Sequence, residues 1–67
     1  MSKKLINHRK KLKLTQRQIA ETIGVTVQTV SNWETGISKP KLTVIQTEQL
    51  CKILNTDITG LKKLLED

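Results

Sequence analysis

The stretch that decides the fold is Gln16-Arg17-Gln18-Ile19-Ala20-Glu21-Thr22-Ile23-Gly24-Val25-Thr26-Val27-Gln28-Thr29-Val30-Ser31-Asn32-Trp33-Glu34. It reads as two short helices joined by a tight turn. Ile19 and Ile23 are four apart and share one helix face. Ala20, beside them, is small enough for a second helix to come close. Gly24 follows the last apolar position, where a helix commonly ends on a left-handed residue, and glycine takes positive φ without a Cβ clash. Val25 can plug the corner. Thr26 suits an N-cap, because its hydroxyl can accept from a free backbone N–H. Val30 and Trp33 are three apart and face back toward the first of the two helices. All these positions agree with one geometry, a helix-turn-helix over residues 16–35.

Turned outward on the second helix are Val27, Gln28, Thr29, Ser31 and Asn32. Solvated helix faces usually carry Lys and Glu, and neither occurs between Val25 and Trp33. Gln and Asn amides can bond an adenine edge bidentately, and a valine methyl can meet a thymine methyl. Thr29 and Ser31 can bond bases or phosphates. The pattern fits a helix that reads double-stranded DNA, with a plain polar face as the bland alternative.

Charge is distributed in the same sense. The chain has 67 residues and a net charge of +6. Residues 1–34 hold seven Lys/Arg and two Glu, for +5, while residues 35–67 hold five Lys and four Asp/Glu, for +1. The excess sits with the predicted reading unit, where a basic face concentrates polyanions and speeds encounter with them.

The length fits one domain, 1–67, that buries about 60% of its unfolded surface. A single cysteine, Cys51, rules out an intrachain disulfide and suits a reducing cytoplasm. Leu50, Ile53 and Leu54 flank it, so it reads as a small core residue. Met1 to His8 is charged with no apolar run behind it, which is not a signal peptide, and no window reaches transmembrane length. Residues 3–13 lack the bulky aromatics and wide apolar face of a membrane-surface helix, so no membrane partner is expected. Catalysis is not expected either. There is one histidine, one cysteine, no workable carboxylate pair, no glycine-rich phosphate loop and no metal-ligand cluster. No catalytic residue, cofactor or metal is therefore assigned. A separate effector domain has no room, so no small-molecule ligand is expected.

The flanking segments read as helices too. Leu5, His8, Arg9 and Leu12 share a face, in a helix from about Lys3 to Lys11. Thr15 and Gln18 have capping-box spacing. Thr35-Gly36 marks a helix end, and Pro40 disfavours helix at Lys39. A fourth helix is expected from Leu42 or Thr43 to Leu54, with Val44, Thr47, Leu50, Cys51 and Leu54 on its apolar side and Asn55 as a left-handed cap. Asp57 can cap a last helix whose stripe is Ile58, Leu61, Leu64 and Leu65. Leu64 and Leu65 either form a dimer seam or else close the monomer core or fray. No strand signal is present. The fold class is all-α, with five short helices.

Residues 5–65 resemble the Cro and phage-repressor family of helix-turn-helix DNA-binding domains. The likeness is carried by Leu14-Thr15-Gln16, Ile19-Ala20, Ile23-Gly24-Val25, Val30-Ser31, Trp33-Glu34 and Gly36, with Pro40 and the leucines of the fourth helix behind. The resemblance implies a lambda-repressor-like fold whose third helix enters the major groove, with Val27, Gln28, Thr29 and Asn32 touching bases. It implies that Gln16 binds a backbone phosphate and that Arg17 is placed to do the same. Thr26 and Ser31 would lie nearer the sugar-phosphate wall, and Lys39 and Lys41 would contact the backbone. Arg9 and Glu34 match a pair that forms a partly buried salt bridge in relatives. The chain departs from the pattern in four places, the first being Val27, which stands where some relatives have a polar base-reader. His8 stands where relatives usually have leucine, Lys13 replaces a common C-cap glycine, and the stretch from Pro40 to Asn55 is longer than usual.

These features make a sequence-specific transcriptional regulator the leading expectation. It would be a repressor, bound to a palindromic operator as a homodimer in a bacterial or phage cytoplasm. The alternative is an antitoxin or adaptor that uses the same fold to bind protein.

Overall fold

The computed structural model describes residues 3–66. Five α-helices follow one another: α1 Lys3–Lys11, α2 Gln16–Ile23, α3 Val27–Thr35, α4 Val44–Ile53 and α5 Ile58–Leu65. No strand occurs among the described residues. Helix α2 packs against both α3 and α4, while α1 packs against α3 and α5. The core between them consists of Leu5, Ile19, Ala20, Ile23, Val30, Trp33, Leu50, Cys51, Leu54 and Leu61. Every helix thus supplies at least one buried side chain, and none has an apolar face wide enough to stand alone.

Polar side chains set the helix limits. Thr15 caps α2 by accepting from the Gln18 N–H (3.0 Å), and Gln18 Oε1 accepts the Thr15 N–H in return (2.7 Å). Thr26 caps α3 by accepting from the Thr29 N–H (3.1 Å). Between them Gly24 has φ +75°, so the turn is closed by a left-handed residue that only glycine adopts without strain. Gly36 ends α3 in the same way at φ +81°. Asp57 Oδ1 accepts the Gly60 N–H (2.7 Å) at the start of α5.

Helix α4 starts later than its sequence pattern suggests. Thr43 is held extended as the cap, in a second capping box with Gln46, so the helix begins at Val44 and not at Leu42 or Thr43. Leu42 is left outside the helix and packs against the core. Two residues expected on apolar faces are not covered. Val44 is 85% exposed and Ile58 is 62% exposed. Each is the first residue of its helix, ahead of the stripe that reaches the core. Leu64 and Leu65 are half-buried and pack against the core.

Two residues without glycine's freedom carry positive φ, Lys13 at +58° and Asn55 at +52°. Asparagine tolerates this conformation, and lysine does not. Lys13→Gly is therefore expected to stabilise the fold by about 0.5–1 kcal/mol, net of the extra freedom glycine gives the unfolded chain. Urea denaturation checks it, and no gain in midpoint would show that the strain at Lys13 is already relieved.

Candidate nucleic-acid interface

Helix α3 divides its side chains sharply. Val30, Trp33 and Glu34 are buried, while Val27 and Gln28 lie exposed on the opposite side and Thr29, Ser31 and Asn32 are half-buried. The buried residues anchor the helix, so the outward groups are presented by a rigid element.

Those outward groups are ordered among themselves. Gln28 Nε2 donates to Asn32 Oδ1 (2.9 Å), a pair one helical turn apart. After that bond Gln28 still has Oε1 and a second N–H. This is the acceptor-and-donor pair that complements N6 and N7 of adenine. Asn32 keeps both Nδ2 hydrogens for an acceptor on a neighbouring base. The Thr26 and Thr29 hydroxyls are 2.9 Å apart. When Thr29 donates, the hydrogen of Thr26 is left for a phosphate oxygen, and a lone pair of Thr29 is left for a base amine. Val27 is 42% exposed, with its methyls open to an apolar partner.

The start of α2 borders this helix. Gln16 is half-buried, and its Nε2 donates to Glu34 Oε1 (2.8 Å), leaving one N–H unspent. The first turn of α2 has no acidic residue of its own, and the nearest carboxylate, Glu34, reaches it through Gln16. Arg17 is exposed and pairs with Glu21 on its own helix at 2.9 Å. A pair this exposed is worth about 0–1 kcal/mol, so a phosphate can draw the guanidinium away. Ser31 is half-buried, and its carbonyl accepts the Thr35 hydroxyl (3.0 Å). Lys39 and Lys41 are exposed in the loop between α3 and α4.

Behind the face lies an ionic cluster. Arg9 Nε donates to Glu34 Oε2 (2.7 Å), Nη2 to Glu34 Oε1 (3.2 Å) and Nη1 to the Leu14 carbonyl (2.9 Å). The two side chains are only 12% and 3% exposed. Glu34 therefore joins α1, the start of α2 and the end of α3. The family resemblance implies the pair of Arg9 and Glu34 but not the bond from Gln16, because only the fold brings residue 16 to residue 34.

Two further side-chain contacts tie the helices together. His8 Nε2 donates to the Leu54 carbonyl (2.6 Å), which gives the departure at His8 a structural use: it fastens α1 to the end of α4. Gln46 Nε2 donates to the Ile23 carbonyl (3.1 Å), filling an otherwise open acceptor at the end of α2. The T-x-x-Q spacing at 43–46 repeats that at 15–18 and is the signal that finds Gln46.

Among the described residues, no three His, Cys, Asp or Glu side chains are grouped as metal ligands. No helix among them is long and apolar enough to cross a membrane. A family model described as helix-turn-helix matches residues 5–61. Neither the curated proteins nor the solved structures returned a match. The matched family is one of DNA-binding regulatory domains and not typically of enzymes. With that match running from α1 into the first turn of α5, the chain belongs to the helix-turn-helix family of the Cro and phage-repressor type, as a DNA-binding domain.

Proposed function

We propose that this protein is a cytoplasmic, sequence-specific transcriptional repressor that binds palindromic operator DNA as a homodimer, with α3 in the major groove. The observation that carries the reading is the outward face of α3. It is short, polar and free of Lys and Glu, and its Gln28 amide is held by Asn32 with one donor and one acceptor to spare. Val27, Gln28, Thr29 and Asn32 read base edges. Gln16, Arg17, Thr26, Ser31, Lys39 and Lys41 grip the backbone and supply most of the salt-dependent affinity.

Selection from a random duplex library at near-physiological salt tests this directly. A two-fold symmetric motif is the expected result. Retention of DNA without any enriched motif would remove base reading by α3 and favour the adaptor or antitoxin role.

Two substitutions separate the two kinds of contact. Gln28→Ala should weaken operator binding by about 1–3 kcal/mol and relax the preference at one base position of each half-site. A competition binding assay against single-base operator variants measures it, and an unchanged preference profile would contradict the role given to Gln28. Lys41→Ala should weaken every sequence alike and lower the magnitude of the salt slope by about one. A loss confined to one operator would contradict a phosphate contact.

A further inference from the structure

Helix α1 is charged unlike the other four. The first 20 residues hold seven Lys/Arg and no Asp or Glu. Cations on the other helices have acidic neighbours. Arg17 pairs with Glu21 and Lys52 with Glu48, while Lys62 and Lys63 lie between Asp57 and Glu66 in the chain. Lys3, Lys4, Lys10 and Lys11 are exposed, and no ion pair reaches them among the described residues. They are the i−4, i−3, i+3 and i+4 neighbours of Asn7, which is exposed as well, so they surround it on one face of the helix. This arrangement works against the helix. Two of the lysines stand in its first turn, at the positive end of its dipole, with no acidic residue there to offset them. A face kept only for solubility intersperses both signs, and this one carries a single sign.

The lysine face points away from the outward side of α3. The opposite side of α1 is the packed one: Leu5 is buried, Arg9 bonds Glu34 on α3, and His8 bonds the Leu54 carbonyl. Glu34 in turn lies on the buried side of α3, away from Val27 and Gln28. The two helices thus meet by their inner sides, and a duplex lying on α3 leaves the lysines of α1 uncovered. Lys3 and Lys10 are about 10 Å apart along the helix, the length of about three successive phosphates on one DNA strand. Asn7 adds an amide donor between them. No wide apolar face accompanies the charge, so the partner that fits is a hydrophilic polyanion and not a membrane surface.

We infer that the outer face of α1 is a second, sequence-independent site for duplex DNA, so that one molecule holds two duplexes at once. The inference rests on the reading that α3 holds the first duplex, and it adds a surface which that reading does not use.

A bridging assay tests it. A duplex carrying the motif enriched in the library selection is immobilised, the full chain is bound to it, and a fluorescent duplex of unrelated sequence is added at low salt. The parent chain should capture the fluorescent duplex. Combining Lys3→Gln, Lys4→Gln, Lys10→Gln and Lys11→Gln should abolish capture and change binding to the immobilised duplex by less than about threefold. Lys4→Gln with Lys11→Gln should keep part of the capture and take about two units off its salt slope. All four side chains are exposed, so circular dichroism should show the helices kept and the thermal midpoint unchanged or raised. Absence of capture by the parent overturns the inference. So does a fourfold variant that captures like the parent. A fourfold variant that loses the immobilised duplex as steeply as the fluorescent one also overturns it, by placing the lysines on the first duplex. Capture of phosphatidylglycerol vesicles in place of the fluorescent duplex overturns the assignment to DNA. The library selection keeps the two readings apart. An enriched motif without bridging removes this surface and leaves base reading by α3 standing. DNA that is retained without any motif, and released by the fourfold variant, removes base reading by α3 and leaves this surface standing.

Discussion

Replacing Glu34 with alanine is expected to lower the unfolding free energy by about 3–5 kcal/mol. The carboxylate accepts two hydrogen bonds from Arg9 and one from Gln16 while only 3% exposed. Its removal leaves a guanidinium that is only 12% exposed facing no anion. That is the costly direction in which to break a buried pair, because the remaining charge keeps its desolvation penalty. A domain this small rarely holds more than about 3–5 kcal/mol in its core, so Glu34→Ala should be largely unfolded at room temperature. Urea denaturation followed by far-ultraviolet circular dichroism measures the loss. Arg9→Met combined with Glu34→Leu should recover much of it, since two apolar side chains of similar size leave no orphaned charge. A loss below about 1 kcal/mol in the single variant would show that water reaches the pair and that it does little to hold α1 to α3.

Trp33→Ala should be comparably damaging, by about 3–5 kcal/mol. Trp33 is the only aromatic residue of the chain and is 5% exposed in the core. The chain has no Phe or Tyr to refill the space, and an open groove borders Trp33 beside Leu42, Leu61 and Leu65. Thermal unfolding by circular dichroism is the suitable readout, because the substitution removes the only indole. Trp33→Phe keeps a ring in place and should lose distinctly less. Equal losses for the two variants would mean that the indole N–H, and not its volume, is what matters at this position.

Much of this architecture was readable in the residues because the deciding constraints are local. Thr15 with Gln18, Gly24, Thr26, Gly36 and Asp57 each act within one turn of chain, and the structure places a cap or a left-handed residue at each. The five-helix, all-α fold follows from them. The helix-turn-helix identity was legible for the same reason, since its apolar positions lie within one short stretch. The start of α4 is ambiguous in the sequence because Thr43 can continue a helix or cap one, and the reciprocal bond with Gln46 decides between them. Val44 and Ile58 look like core residues in a periodicity count, yet the first position of a short helix swings clear of the packed face. The bonds from Gln16 to Glu34, from His8 to Leu54 and from Gln46 to Ile23 join residues 18 to 46 positions apart, and no local pattern encodes such a distance.

The division of labour within α3 also bears on how such a protein changes over generations. Val30, Trp33 and Glu34 bury the helix against the core, while Val27 and Gln28 stand on its exposed side. Substitutions on an exposed face generally alter stability by no more than about 0.5 kcal/mol. A duplicated gene could therefore drift at Val27, Gln28 and their neighbours, acquiring a new target while the scaffold stays folded at every step. On the function proposed above, the two copies would come to read different sites, and the route from one regulator to two runs through folded intermediates.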